Sequence, residues 1–342
     1  MTPENRDILL QLLDQHRALG ISEQIDYDKF YLYSIIVHST AIEGSTVTEV
    51  EAQLLFDEGI TSSKRTMLEQ QMNLDLKVAY EYGREWIKLH EHITVDWLIT
   101  LASKVMARTG SDYSAMGGDF SAAKGELRKI NVSAGIGGKS YMSYLKVPER
   151  LAAFCEELNR RRKAVDPTDI CAVYDLSFWA HYELVTIHPW ANGNGRTSRL
   201  LMNLLQMEFG VLPTKVLIED KATYIQALID TREDEDITIF QNCMASLHIQ
   251  HLKSDIDQYL NSASEKMVDK WSIKPTLAEK LVDILAFVAD KEDFTTEAIV
   301  RQFGFTATTA KRYLRQLTEY GYLEPHGGNR NRTYQMKTTI SR

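Results

Sequence analysis

Apolar positions recur at three- and four-residue steps over most of the chain. In "PENRDILLQLLDQHRAL" they fall at Ile8, Leu9, Leu12, Leu13 and Leu19, which predicts a helix over 4–19. "YDKFYLYSIIVHSTAI" (27–42) reads the same way, with Gly44 as its stop. Thr48 and Glu51 form a capping box ahead of "EVEAQLLFDEG". The same periodicity predicts helices over 64–90, 94–108, 148–163, 169–187, 196–208, 220–230 and 236 to about 268. Residues 169–187 carry Ala172, Val173, Leu176, Trp179, Leu184 and Val185, enough to bury nearly the whole helix. Pro189 steers His188 away from helical angles, so this helix is expected to end there. One stretch breaks the rhythm. Residues 126–144, "ELRKINVSAGIGGKSYMSY", read as a β-hairpin turning on Gly137-Gly138.

After residue 270 the pattern becomes three short amphipathic helices, "TLAEKLVDILAFVAD", "TTEAIVRQFG" and "TATTAKRYLRQLTEYG". Strand-like "YLEP" and "TYQMK" follow on either side of "HGGNRNR". Three helices and a small hairpin is the order of a winged helix-turn-helix. The expected organisation is therefore an N-terminal helical region over 1–89, a helical core over 90–270, and a winged helix over 275–342 hinged at Lys274-Pro275. The fold class expected is mainly α.

Composition narrows the possibilities without naming one. With 44% hydrophobic residues, the 342-residue chain can build a real core. A net charge of -8 argues against coating nucleic acid along the whole length. The tail from 306 to 342 is the exception: Lys311, Arg312, Arg315, Arg330, Arg332, Lys337 and Arg342 face only Glu319 and Glu324. DNA and a docking protein are equally open as its partner. No apolar run approaches the roughly 20 residues that span a bilayer, and the N-terminus lacks the features of a secretory signal. The expectation is a cytoplasmic protein with no membrane contact. Cys155, Cys171 and Cys243 are scattered without metal spacing and are expected to be free thiols. His248 and His251 share a helix face but have no third ligand, so a structural role is expected.

"SAGIGGKS" (133–140) nearly spells a phosphate-binding P-loop. Ser133 stands where that pattern needs glycine, and no helix follows directly, so the segment reads as a hairpin tip. The stronger chemistry lies in "HPWANGNGRTSR" (188–199). Gly193-Asn194-Gly195 opens a helix whose first backbone N–H groups have no partners, which suits a phosphate. Arg196 and Arg199 stand three apart on its first turn, where cations oppose the helix dipole unless an anion joins them. His188 lies just upstream as a candidate general base.

"HPWANGNGR" resembles the signature of Fic-domain proteins, His-Pro-Phe-x-Asp/Glu-Gly-Asn-Gly-Arg, extended here by the second arginine, Arg199. The resemblance covers roughly residues 90–215. It implies a helical Fic core with a β-hairpin flap and a protein adenylyltransferase that moves AMP from ATP to a Ser, Thr or Tyr hydroxyl. His188 would take the hydroxyl proton. Gly193, Asn194 and Gly195 would hold the α- and β-phosphates, Arg196 phosphate oxygens, and Arg199 the γ-phosphate. The target segment would add as a strand beside the 126–144 flap. Two departures stand out. Trp190 replaces the usual Phe, one bulky anchor for another. Asn192 replaces the acid that binds Mg2+; its amide can ligate but brings no charge, and the expectation is still an ATP-bound Mg2+ that keeps water and substrate phosphates as its other ligands.

By itself, Glu43 at a helix C-terminus reads as a solvated acid, mildly unfavourable to the dipole. Yet "STAIEG" (39–44) matches the family's inhibitory motif, Ser/Thr-x-x-x-Glu-Gly/Asn. That resemblance pairs Glu43 with Arg199, gives Ser39 a bracing role and Gly44 the helix stop, and implies autoinhibition. It also leaves three alternatives: a hydrolase that removes AMP, a site that holds nucleotide without efficient turnover, and a nucleotide-sensing transcription regulator. Homodimerisation is a family habit and a further expectation.

Overall fold

The computed structural model describes residues 1–134, 139–289, 291–328 and 331–337. The expected turn at Gly137-Gly138, and Arg330 and Arg342 of the basic tail, lie outside the described residues. The chain divides into two compact units, Met1–Arg6 with Lys29–His248, and Asp7–Asp28 with Ile249–Arg342.

In chain order the helices are α1 (Pro3–Ala18), α2 (Tyr27–Ala41), α3 (Glu49–Asp57), α4 (Met67–Ile87), α5 (Val95–Val105), α6 (Val147–Ala164), α7 (Ile170–Ile187), α8 (Asn194–Glu208), α9 (Lys221–Asp234) and α10 (Ile237–Trp271). Local signals account for several starts. Thr48 caps α3 and Thr66 caps α4, each in a reciprocal box with the acid three residues on, Glu51 and Glu69. Asp169 caps α7 through the N–H of Ala172.

The centre of the first unit is α7 packed along α8, with α4 and α5 meeting α8 from other sides. Helix α8 is buried almost throughout: Leu200, Leu201, Leu204 and Leu205 are each at most 1% exposed. Burying each such side chain contributes on the order of 1.5–3 kcal/mol. So α8 is fixed by its apolar length, and its N-terminus is held still.

The described residues of 106–134 and 139–146 carry little regular structure. β1 (Asp112–Tyr113) and β2 (Phe120–Ser121) form a two-residue antiparallel ladder that the hydrophobic pattern did not announce. The expected hairpin is present in reduced form. Ser133 and Ser140 form an isolated antiparallel bridge, Ala134 N–H donates to Lys139 O, and Tyr141 N–H to Val132 O. It does not extend because side chains take the neighbouring backbone groups. The Arg128 guanidinium donates to Ile130 O and Met142 O, and Asn131 accepts from the Tyr144 N–H.

In the second unit, α11 (Pro275–Val288), α12 (Thr296–Phe303) and α13 (Ala307–Glu319) are followed by β4 (Leu323–His326) and β5 (Thr333–Met336). A short β3 (Phe294–Thr295) joins them in an antiparallel sheet of order β3-β5-β4, with Phe294 opposite Tyr334 and Leu323 opposite Met336. Thr295 caps α12, Gly304 ends it in the left-handed region, and Thr306 caps α13. Leu281, Ile284, Ile299, Leu314, Leu317 and Leu323 meet in one core. Lys311, Arg312 and Arg315 project from the opposite, exposed face of α13. This is the winged-helix order expected from the sequence.

Candidate functional site

The site assembles where α7 ends and α8 begins. His188 terminates α7 in a left-handed conformation, φ 53° and ψ 60°, which is strained for a side-chain-bearing residue. Its Nδ1 lies 3.2 Å from Val185 O. A carbonyl only accepts, so Nδ1 carries the proton and Nε2 keeps its lone pair. Burial pushes the imidazole down to about 4, against the raising effect of that hydrogen bond, with Arg128 and Arg232 lowering it further and Glu43 raising it. The ring is therefore neutral at pH 7.

The connecting loop is tied from within and from behind. Asn194 closes it with its own amide: Oδ1 accepts from Trp190 N–H and Nδ2 donates to Trp190 O. That leaves Asn194's backbone N–H, not its side chain, for an anion. Trp190 is buried, and its indole N–H donates to Gly125 O at 2.8 Å. Arg128, 1% exposed, braces the loop: its Nε donates to His188 O at 2.7 Å and its backbone N–H to Pro189 O at 2.9 Å. Gly193 begins α8 at φ 80°. A Cβ there would sit 2.6 Å from the Met106 sulfur, so both backbone angle and space require glycine.

The two arginines face different neighbours. Arg196 is buried, with Nη1 3.3 Å from Val105 O and Nη2 2.9 Å from the Met106 sulfur, while its Nε has no hydrogen-bond partner. Burial lowers its pKa, only partly offset by the Glu43 and Asp75 carboxylates acting through space. Arg199, 3% exposed, is fully engaged. Its Nε donates to Ser39 Oγ and its Nη2 to Ser39 O, both at 2.9 Å. Nη2 also donates to Glu43 Oε1 at 2.8 Å, and Nη1 lies 3.5 Å from the Tyr224 hydroxyl.

Glu43 thus crosses 156 positions of sequence to reach Arg199. Behind it, Glu43 and Gly44 N–H donate back to Thr40 O and Ala41 O in the turn that ends α2. Asn73, wholly buried on α4, holds that turn: its Oδ1 accepts from Thr40 Oγ1 and its Nδ2 donates to Ser45 Oγ. The placement resolves the electrostatic oddity of an acid at a helix C-terminus. The carboxylate reaches the positive end of α8, and a Cβ at Gly195 would stand only 2.7 Å from Glu43 Oε1. Burial opposes charge on Glu43, yet Arg199, by Coulombic attraction and hydrogen bond, and Arg196 hold its pKa below the usual carboxylate value.

Asn192, where a metal-binding acid was expected, is exposed, and its Oδ1 accepts from the Tyr113 hydroxyl. Among the described residues no three His, Cys, Asp or Glu side chains gather as a metal site. A single neutral amide already engaged by a phenol does not fit a magnesium ion held by the protein. His248 is buried and hydrogen-bonded to the Tyr174 hydroxyl, in keeping with a structural role. The cysteines are free thiols, as expected. No helix among the described residues is long and apolar enough to cross a membrane.

All the expected site residues, His188, Asn192 to Arg196, Arg199, Ser39, Glu43 and Gly44, lie in the first unit, around the start of α8. Sequence reasoning missed Arg128, Asn73, Tyr113, Tyr141 and Tyr224. Only Asn73 left a trace: it falls on the buried face of α4 with Leu76, Ala79, Tyr80 and Gly83.

Comparison with known proteins follows this geometry. Residues 92–206 match the Fic/DOC family, and residues 277–327 match the IclR helix-turn-helix domain. Over 255 residues the chain is 26% identical to a Caenorhabditis elegans protein named protein adenylyltransferase fic-1, covering 72% of this chain and 46% of that one. It is 29% identical over 194 residues to the Nematostella vectensis protein adenylyltransferase Fic, covering 56% and 42%. The chain thus spans under half the length of these relatives. A solved Fic family protein from Desulfovibrio desulfuricans shares the fold at 16% identity, with a TM-score of 0.60 covering 100% of this chain and 98% of that one.

Proposed function

We propose that the chain, whose residues 92–206 match the Fic/DOC family, is a protein adenylyltransferase whose resting state is closed by Glu43. The observation that carries the reading is the 2.8 Å contact between Glu43 and Arg199 beside the start of α8, on the same loop as a neutral His188. The acceptor hydroxyl would give its proton to His188 Nε2 while its oxygen attacks the α-phosphorus of ATP. The bond from that phosphorus to the bridging oxygen breaks, and pyrophosphate leaves. The N–H groups opening α8, with Arg196, would take the charge that builds on the phosphate oxygens. Arg199 would hold the γ-phosphate once Glu43 withdraws. No step is routed through a metal, because Asn192 does not supply one.

Incubation with α-labelled and γ-labelled ATP tests the reading. Glu43→Gly should label itself from the α-position only and more than the wild type, and His188→Ala should abolish the label. Label from the γ-position would overturn AMP transfer. Equal label on wild type and Glu43→Gly would overturn the inhibition. One observation favours a second reaction at the same site: Glu43 is ionised and its side chain is 34% exposed, so it could orient a water to hydrolyse an AMP-modified protein. Loss of AMP from pre-labelled protein with wild type, but not with Glu43→Gly, would mark that reaction.

The acceptor protein would dock beside the 126–144 hairpin. For residues 275–342 we infer duplex DNA as partner, from the exposed basic face of α13 and the IclR match. Salt-dependent retention of duplex DNA, lost in Lys311→Ala with Arg312→Ala, tests it. Failure to retain DNA at low salt would leave protein docking.

A further inference from the structure

His188 is covered by a stack that contains none of the signature residues. The Tyr141 ring lies over the imidazole with centroids 3.9 Å apart and planes 23° from parallel. The Arg232 guanidinium lies 4.7 Å from the centroid of the Tyr141 ring. Arg232 belongs to the last turn of α9, and Tyr141 to the returning side of the hairpin, where its N–H donates to Val132 O. Next to Arg232, Glu233 pairs with Lys139 at 2.7 Å, two residues before Tyr141. So one helix end grips the hairpin twice, and the hairpin in turn presses on the ring of His188.

We infer that Tyr141 is a positioning residue for His188, held in place by Arg232, and that the end of α9 latches the hairpin over the base. The physical need is specific. The His188 ring is anchored by the hydrogen bond at Nδ1, and one hydrogen bond leaves a ring free to swing about its side-chain torsions. A flat aromatic surface restricts that swing while leaving the edge with Nε2 open. Among the described residues Tyr141 is the aromatic ring that stacks on the imidazole. The charged groups that face it, Arg128, Arg232 and Glu43, act on its charge through space. The Tyr141 hydroxyl also meets Arg232, but the cover over the imidazole comes from the ring. A kinetic role rests on the transfer reading, but the mechanical claim does not.

The test therefore has a readout outside catalysis. Full-length wild type, Tyr141→Phe, Tyr141→Ala and Arg232→Gln are compared by NMR titration of the His188 imidazole and by its rate of acylation with diethylpyrocarbonate. Tyr141→Ala should raise the imidazole pKa by at least one unit, a tenfold change in proton affinity, and speed acylation several-fold. Tyr141→Phe, which keeps the ring, should stay close to wild type; Arg232→Gln should fall between in acylation rate, its imidazole pKa also rising from loss of the cation itself. In the Glu43→Gly background, Tyr141→Ala should lower kcat about tenfold or more with little change in KM for ATP. If Tyr141→Ala unfolds, Arg232→Gln and Tyr141→Phe still carry the comparison. An unchanged His188 titration and acylation rate in both Tyr141→Ala and Arg232→Gln would overturn the proposal. A changed titration with no AMP transfer in any variant would instead refute the transfer reading and leave the positioning role standing.

Discussion

Replacing Glu43 by Gln removes one charge and little else. The amide oxygen can still accept from Arg199 Nη2, so shape and one hydrogen bond survive. Breaking a fully buried ion pair costs about 3–5 kcal/mol, and an exposed pair is worth about 0–1 kcal/mol. This pair lies between those limits: Arg199 is 3% and the Glu43 side chain 34% exposed. Arg199 also keeps Ser39 Oγ and Ser39 O. A loss of about 1–2 kcal/mol at pH 7 follows from interpolating between those two cases. For a unit of this size that lowers the melting temperature by roughly 2–8 °C. The sign with pH is fixed by the direction of the shift. Glu43 has a depressed pKa in the folded state, so its contribution is complete above the ordinary value of 4.5 and disappears as pH falls through the lower folded value. Wild type and Glu43→Gln should therefore converge in stability on the acid side. If the proposed inhibition holds, ATP should stabilise the variant more than wild type, in which the γ-phosphate would have to displace Glu43 first; at 100 times Kd a ligand adds about 2.7 kcal/mol. Thermal melts at pH 7 and pH 4, with and without ATP, measure all three effects. Equal melting at pH 7 together with equal ATP shifts would show that the carboxylate neither holds Arg199 nor competes for its ligand.

Three further outcomes follow from the same geometry. Arg128→Met should destabilise by about 3 kcal/mol or more, since it leaves the carbonyls of His188, Ile130 and Met142 without their donor; a denaturant melt within 1 kcal/mol of wild type would contradict the bracing role. Self-labelling by Glu43→Gly should keep its acid limb near pH 4 or below, because burial holds His188 at about 4 and removing Glu43 takes away a raising influence; an acid limb near 6.5 in the pH–rate profile would assign the base elsewhere. Asn192→Asp should make labelling more responsive to added magnesium by supplying the missing carboxylate, and an unchanged magnesium titration would mean that the asparagine is not what sets metal dependence.

What could be read from the sequence divides by the range of the interaction. Helix starts at Thr48, Asp169, Thr295 and Thr306 depend on a cap within three residues, and the ends at His188 and Gly304 depend on local backbone preference. Periodicity found α7 and α8 because their large apolar side chains recur at helical spacing, although burial extends nearly all round both helices. The 106–146 segment resisted the same treatment because its order comes from side chains meeting distant backbone, as Trp190 meets Gly125 and Arg128 meets His188. A buried arginine satisfied by carbonyls looks, in a string of letters, like any surface arginine in "ELRKINV".

The Glu43–Arg199 pair marks the boundary between what residues imply and what likeness supplies. By helix electrostatics Glu43 stands at the wrong end of α2, and nothing local corrects that. Only the fold brings it to the favourable end of α8, across 156 positions. Polar residues on the buried side of a helix could have given warning: Asn73, buried on α4 with Gln70 and Asp75, hydrogen-bonds Thr40 and Ser45, on either side of Glu43. A wholly buried amide of this kind needs partners, and here its partners are the backbone turn that aims a carboxylate. The acid is unfavourable where the chain places it and favourable where the fold delivers it, so its position is held by tertiary contacts that a competing phosphate could exchange. That is the physical content of a reversible inhibitory contact, and it puts Asn73 and Ser39, no less than Glu43, under the same constraint.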